Sequence, residues 1–323
     1  MKKVALGIDI GGTNTKFGFV DAGGEIFGER SILTDDDGSF DNYLKQLNDA
    51  IESSRKELEF ETELLGIGIG APNGNYIKGT IEYPPNLNWK GVTPFIDKFK
   101  SYHKVPMFLT NDANAAAIGE MIFGDAKGMR DFIVFTLGTG LGSGIVANGE
   151  LIYGHDGFAG ELGHTLVNIF GRECGCGRRG CLETYVSATG IKRTVYKLLA
   201  DYMEDSELRN IPFDQLTGKA ITKAAIRRDS IAIRAFEYTG RILGMKLADT
   251  VAHFSPEAIF LFGGLVNAGD YLLKPTRQYM DENIMPIYKK NPVKLLASGL
   301  LNKNAAVLGA ASMVWKEYNK GNG

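Results

Sequence analysis

The sequence predicts an α/β protein of two lobes, each built on a mixed sheet and facing a common cleft. Three features carry that expectation. The chain opens in a β-β-β-α-β order, which yields a mixed sheet carrying helices. The pattern Ile8-Asp-Ile-Gly-Gly-Thr-Asn-Thr-Lys-Phe-Gly-Phe-Val, followed by Asp-Ala-Gly-Gly-Glu-Ile, is echoed by Phe135-Thr-Leu-Gly-Thr-Gly-Leu-Gly-Ser-Gly-Ile-Val and Ala-Asn-Gly-Glu-Leu-Ile. Both copies run strand, glycine turn, strand, glycine turn, strand, so two units of like topology each turn a glycine-rich hairpin toward the cleft. No low-complexity linker parts them, which implies a shared hinge. The expected division is a small lobe of residues 1–112 plus 303–323 and a large lobe of residues 113–302.

Val4 to Asp9, Thr15 to Val20 and Glu25 to Leu33 form the expected opening meander. Tyr43, Leu44, Leu47, Ile51 and Leu58 recur at helical spacing over 40–58, and Leu64 to Gly70 returns to strand. A Pro- and Asn-rich segment leads to a short helix over Thr93 to Phe99, then to a strand over Val105 to Leu109 and an alanine-rich helix over Ala113 to Phe123. Beyond the second glycine hairpin the chain is mostly helical: Ser187 to Asp201, Ile221 to Arg227, and Ser230 to His253. In the last of these, Ile231, Ala235, Tyr238, Ile242, Met245 and Ala252 trace one face. Ala258 to Phe262 reads as a buried strand and Ala305 to Tyr318 as a terminal helix.

With 323 residues, 44% of them hydrophobic, the chain can bury a core in two domains. Lys and Arg total 36 against 38 Asp and Glu, a net charge of -2, so no basic field advertises nucleic acid. Asp9 interrupts the first apolar run before a secretory segment forms, and no stretch reads as a membrane span. Three cysteines, an odd number, argue against a disulfide framework and for a cytoplasmic, reducing setting.

Asp9-Ile-Gly-Gly-Thr-Asn-Thr-Lys places an acid, two glycines, two hydroxyls and a lysine within eight residues. Backbone N–H groups of Gly11, Gly12 and Thr13 can turn around an anion, Lys16 adds positive charge, and Asp9 can hold a hydrated Mg²⁺, a set suited to a nucleotide polyphosphate. Gly138, Thr139, Gly140 and Gly142 offer a second cradle from the other lobe. Taken singly, either loop is also an ordinary hairpin turn; their matched repetition favours the phosphate reading. A Walker loop is missing, and Gly66-x-Gly68-x-x-Ala71 is a false dinucleotide fingerprint because Pro72-Asn73-Gly74 follows where a helix should begin.

The motifs DIGGTNTKFG, LGTGLGSG, Asn111-Asp112 heading the alanine-rich helix, ELGH and CGCGRRGCLE occur in the order seen in the ROK family (repressor, open reading frame, kinase). The chain resembles these sugar kinases and sugar-responsive repressors over nearly its whole length. The pattern C-x-C-G-x-x-G-C-x-E is complete and is the most specific motif, whereas DIGGT alone points to the wider actin-like ATPase superfamily. The resemblance implies an actin-like, ribonuclease H-like fold with a central cleft.

Asp112 has two readings. It can be a helix N-cap, or, at the C-terminal end of a strand where open α/β sheets form ligand crevices, it can face the cleft. The resemblance makes it the base that accepts the proton of the attacking sugar hydroxyl, for which a carboxylate of ordinary pKa suffices once proton loss accompanies attack. Asn111 then hydrogen-bonds neighbouring hydroxyls. Glu161 and Glu183 flank the cysteine loop and can each accept a pair of sugar hydroxyls; Asn86 and Gly70 are further carry-overs on the small-lobe side.

His164, Cys174, Cys176 and Cys181 supply four donors, enough for a closed tetrahedral Zn²⁺ site, the alternatives being reactive or merely buried thiols. Arg172, Arg178 and Arg179 are placed to offset thiolate charge. With no ligand position left for water, such a metal is structural. In the family the chain resembles, the zinc-binding histidine also reaches the sugar. Gly263-Gly264 can be a plain turn; in the relatives a corresponding pair lies beside adenosine.

The resemblance thus implies a hexokinase of glucokinase type, dependent on ATP and Mg²⁺, acting on the 6-hydroxyl of glucose or a close relative. Kinases of N-acetylmannosamine, N-acetylglucosamine, allose and fructose share the architecture. The expected partners are a hexose and ATP, without nucleic acid or membrane, in a homodimer or homotetramer. Repressors of this kind carry a helix-turn-helix domain before the glycine loop, which here begins at Asp9, and a sugar sensor without turnover has no need of Asp112 and both loops.

Overall fold

The computed structural model describes residues 1–34, 39–301 and 304–321. The expected lobe boundary at 302/303 therefore lies outside the described residues. The chain runs β1 (Lys2–Ile10), β2 (Asn14–Val20), β3 (Ile26–Leu33), α1 (Phe40–Lys56), β4 (Thr62–Gly70), β5 (Gly74–Asn75), β6 (Thr80–Glu82), β7 (Val92–Thr93), α2 (Phe95–Phe99), β8 (Met107–Thr110) and α3 (Asp112–Phe123). It continues with β9 (Phe132–Leu137), β10 (Leu141–Ala147), β11 (Glu150–Leu151), α4 (Ala188–Asp201), α5 (Gly218–Ile226), α6 (Ser230–Phe254), β12 (Ala258–Phe262), α7 (Asp270–Asn283), β13 (Lys294–Ala297) and α8 (Ala305–Gly321).

The duplication read from the glycine hairpins is complete at the level of sheets. One five-stranded sheet has the order β3-β2-β1-β4-β8 and the other β11-β10-β9-β12-β13. In each, the first hairpins pair antiparallel and the next two strands add in parallel, so both sheets are mixed. Each sheet has its own core. Phe17, Phe19, Leu47, Phe95 and Phe99 lie within the first, and Phe135, Phe236, Leu243 and Leu261 within the second. Helices α3 and α8 pack on each other between the sheets.

Gly66 and Gly68, the false dinucleotide fingerprint, are explained by α8. Both lie in β4, and a methyl group on Gly68 would run into the carbonyl of Ala310. Their missing side chains let α8 lie directly on the sheet, an approach close enough that backbone meets backbone. The small sheet β5-β6-β7 carries no sequence signal, and in it Val92–Thr93 stands as strand rather than as the start of the following helix. The same holds for β13 and for α7, the latter hidden by Pro275, an ordinary helix breaker inside this one. Contact with α6 offsets that cost: Gly240 sits against Pro275 and Gly244 against Thr276 and Met280. The buried face of α6 runs through Phe236, Leu243, Leu247 and Val251, so the expected face is rotated, with Met245 exposed and Ile231 and Ala235 retained.

Candidate active site

The first glycine loop joins β1 to β2. Asp9 pairs with Lys16 on one side and lies beside Gly70 of β4 on the other, at the end of the parallel strands. Gly11 N–H donates to Asn14 O at 3.0 Å and closes the turn, leaving Gly12, Thr13 and Lys16 exposed. Gly12 rests on the Asn86 backbone, where a methyl group would come within 2.8 Å of the carbonyl oxygen. Asn86 thus touches the first glycine loop itself.

Beneath this loop is a buried row of hydroxyls that sequence patterns do not signal. Thr34 Oγ1 donates to Gly11 O at 2.7 Å, Thr15 Oγ1 lies 3.0 Å from Thr34 Oγ1, and Tyr43 Oη lies 2.8 Å from Thr15 Oγ1. Since Thr34 spends its proton on the carbonyl, Thr15 must donate to Thr34 and Tyr43 to Thr15. The chain of donors fixes the loop carbonyl in one orientation. Thr15 and Thr34 are β-branched strand and loop residues whose pairing arises only across the β2–β3 register.

Asp112 is the first residue of α3, and the structure corrects the capping alternative. Asn111 is the N-cap, its side-chain oxygen accepting from Asn114 N–H at 2.7 Å. With that oxygen committed, the amide N–H₂ is what Asn111 has left to offer a ligand. Asp112 accepts from Ala113 N–H at 2.8 Å and is open to water, while protein crowds its carboxylate closely enough for burial to raise its pKa. Asp9 is pushed up to about 6, first by burial, then by the charge of Asp112, against the pull of Lys16. Burial also raises Glu161, and the charges of Asp112 and Glu183 add to it. Asp9, Asp112, Glu161 and Glu183 therefore share one acidic cleft.

The second loop, between β9 and β10, is tied to the head of α4. Ala188 N–H donates to Gly138 O at 2.8 Å and Thr189 Oγ1 to Thr139 O at 3.0 Å. Gly138 and Thr139 are exposed, and Gly140 faces the Glu183 carboxylate, 2.7 Å from where a methyl group would stand. Gly142 lies outside the turn, inside β10, where it makes room for Ala113 and Thr136; its lack of a side chain serves α3 packing. Gly263, at φ +110°, lies against the Leu137 backbone at the root of this loop, and Gly264 beside it faces open space.

The cysteine loop closes over the same cleft. His164 Nδ1 is 3.6 Å from Cys174 Sγ, Cys176 Sγ is 3.7 Å from Cys181 Sγ, and the four donor atoms lie within 4.8 Å of one another. Metal–ligand bonds of about 2.3 Å to sulfur and about 2.0 Å to nitrogen give tetrahedral edges of roughly 3.8 Å and 3.5 Å, so the donor set fits a Zn²⁺ ion. The three thiols are free, and 3.7 Å excludes an S–S bond. His164 turns Nδ1 to the thiols and to Glu183 Oε1 at 3.8 Å, leaving Nε2 toward Glu161 Oε2 at 3.9 Å. Of the three arginines, Arg178 alone stands by a thiol, Cys176. Arg172 instead donates to the carbonyls of Thr184 and Gly190 and stacks on Tyr185, and Arg179 pairs with Glu173. They brace the loop rather than neutralise it.

The sequence profile of the ROK family matches residues 5–317. The chain belongs to the ROK family. It is 36% identical to a glucokinase of Halalkalibacterium halodurans, over 98% of this chain and 97% of that one. It is 34% identical to a glucokinase of Streptomyces coelicolor, with 96% and 97% covered. A solved ROK family glucokinase from Streptomyces griseus, in complex with glucose and AMPPNP, superposes with a TM-score of 0.81 at 31% identity, covering 97% of this chain and 99% of that one. The family includes regulators as well: a xylose repressor of Caldicellulosiruptor bescii is 33% identical over 84% of this chain and 68% of its own length.

Proposed function

We propose that this ROK protein is a glucokinase-type hexokinase transferring the γ-phosphoryl group of ATP to the 6-hydroxyl of glucose. The carrying observation is that Asp112 lies in one cleft with the Glu161–His164–Glu183 cluster and with both glycine loops, through Asp9 and Gly140. Glu161, Glu183, the free nitrogen of His164 and the Asn111 amide hold the sugar hydroxyls. Asp112 takes the proton of the attacking hydroxyl, and a pKa raised by burial makes it a stronger proton acceptor than an exposed carboxylate. Gly11 to Thr13 with Lys16, and Gly138 to Gly140, grip the phosphates from opposite lobes, so transfer proceeds by positioning and charge neutralisation. Gly263 and Gly264 leave space for the flat base.

Asp9 suits a Mg²⁺ ion entering with the nucleotide, since its carboxylate is held beside a second one whose repulsion a cation relieves; the ion would neutralise phosphate charge. The four donors of the cysteine loop suit a structural Zn²⁺. Cytoplasmic location and assembly as a homodimer or homotetramer belong to the same proposal.

A coupled assay of ADP release across hexoses and N-acetylhexosamines tests it. Glucose should give the highest kcat/KM, and Asp112→Asn should lower turnover by roughly 10²- to 10⁴-fold with glucose affinity kept. Near-normal turnover in that variant would remove Asp112 from the base role, and preference for an N-acetylhexosamine would move the substrate. A repressor or sensor reading, raised by the family's regulators, requires that sugar release no ADP.

A further inference from the structure

The small lobe and the large lobe are joined beside the sugar site by a buried amide. Asn75, at the end of β5, has no solvent exposure, and its side chain uses every hydrogen-bonding position it has. Its oxygen accepts from Ile77 and Lys78 N–H at 3.1 Å each. Its nitrogen donates to Glu82 Oε1 at 3.2 Å within the small lobe, and to the Asp156 carbonyl at 2.7 Å across the cleft wall in the large lobe. Next to it Tyr76 stacks on Tyr153, ring centres 4.1 Å apart and planes 10° from parallel. Gly157, at φ +90°, lies so near that a methyl group there would come within 2.5 Å of Asn75 Oδ1.

The large-lobe partner is the loop running from β11 to Glu161. It contains three glycines of positive φ, Gly154, Gly157 and Gly160, so its backbone has little intrinsic preference for one shape. Ser143 anchors its far end at Gly160 O. Asn75 fixes its middle. On the other side, Gly74 N–H donates to Ala71 O and Ala71 N–H to Thr110 O, directly before Asn111-Asp112. An unbroken set of contacts therefore leads from the base of the catalytic helix through Asn75 to the loop that ends in Glu161.

The geometry points to Asn75 as a positioning residue for sugar recognition: by holding Asp156 and, with Tyr76, Tyr153, it sets Glu161 and His164 against Asp112 before nucleotide arrives. The inference rests on the sugar-kinase reading, but its physical core, a loop held by a cross-lobe amide, does not. An aspartate of the same shape would replace both donors with acceptors facing Glu82 and a carbonyl, and so break the latch without changing volume.

Full-length Asn75→Asp and Gly157→Ala, which presses on the latch from the opposite lobe, provide the test. Each should raise the KM for glucose by roughly tenfold, leave the KM for nucleotide unchanged, and speed amide hydrogen exchange over 154–161 in the ligand-free protein. The double variant should be no worse than the poorer single one, because the latch breaks once. Unchanged glucose KM with protected amides in both variants overturns the inference, as does an equal rise in both KM values. Should Asn75→Asp fail to fold, Asn75→Ser, whose short side chain cannot reach the Asp156 carbonyl, decides in its place, since alanine at the φ +90° of Gly157 also strains the loop backbone. A wild-type protein that does not phosphorylate glucose would defeat the sugar-kinase reading, while the exchange measurement would still decide the latch.

Discussion

Burial raises the pKa of both Asp9 and Asp112, a cost to stability at residues to which the proposed function assigns the chemistry. Asp9 moves from an ordinary 3.8 in the unfolded chain to about 6 when folded. Below about pH 4 it is protonated in both states and contributes no penalty. Between 4 and 6 the folded chain keeps a proton the unfolded chain has lost, so stability falls as pH rises, reaching a deficit of about 3 kcal/mol above 6. On the proposed mechanism activity runs the opposite way, because only an ionised Asp9 could hold a Mg²⁺ ion. Asp9→Asn should therefore make the ligand-free protein more stable at pH 7, flatten its melting temperature relative to wild type between pH 4 and 6, and abolish turnover. Parallel melts of the two proteins check this; identical pH profiles would refute the assigned cost. Of the candidate site residues, Asp9 was legible because acid, glycine and hydroxyl sit together in the chain, and Asp112 because it stands where a strand ends and an alanine-rich helix begins. Tyr43, Thr15 and Thr34 were not, since their hydroxyls meet only through strand register and helix docking.

At the scale of elements, small residues decide where helices lie. The opening strands and α1 follow from periodicity, and Tyr43, Leu44, Leu47 and Ile51 are buried as their spacing requires. The position of α8 follows instead from glycines in β1 and β4, which no periodicity marks. Gly68→Ala should cost about 3 kcal/mol or more, because the methyl group meets the Ala310 backbone, which cannot swing aside as a side chain can. Denaturant unfolding would show it as a lower midpoint with an unchanged slope. Helix α7 shows the converse, a local rule overridden: Pro275 is tolerated because Gly240 and Gly244 let the two helices meet closely.

For the whole molecule, the cysteine loop, second glycine loop and head of α4 form one assembly. Glu183 accepts from the Cys174 thiol at 2.9 Å and faces Gly140, so on the proposed function a metal bound by the cysteine loop would be felt at Glu183 and at the second glycine loop. Stripping zinc with a chelator should lower the melting temperature and weaken glucose binding at least tenfold, and added Zn²⁺ should restore both. Metal analysis with calorimetric glucose titration measures this. A zinc-free protein with full glucose affinity would show that the loop stands without metal.

The sequence by itself determined the duplicated glycine hairpins, the mixed α/β character, the cluster of three thiols and a histidine, and the acid before the alanine-rich helix. These are local patterns, dictated by residue types that must stand next to each other to work. Tertiary structure alone decided that Asn111 and not Asp112 caps α3, that Gly142 serves packing, that Arg172 and Arg179 brace rather than neutralise, and that Asn75 joins the lobes. Each depends on which distant groups compete for the same hydrogen bond or the same space, and distance along the chain carries no record of that competition.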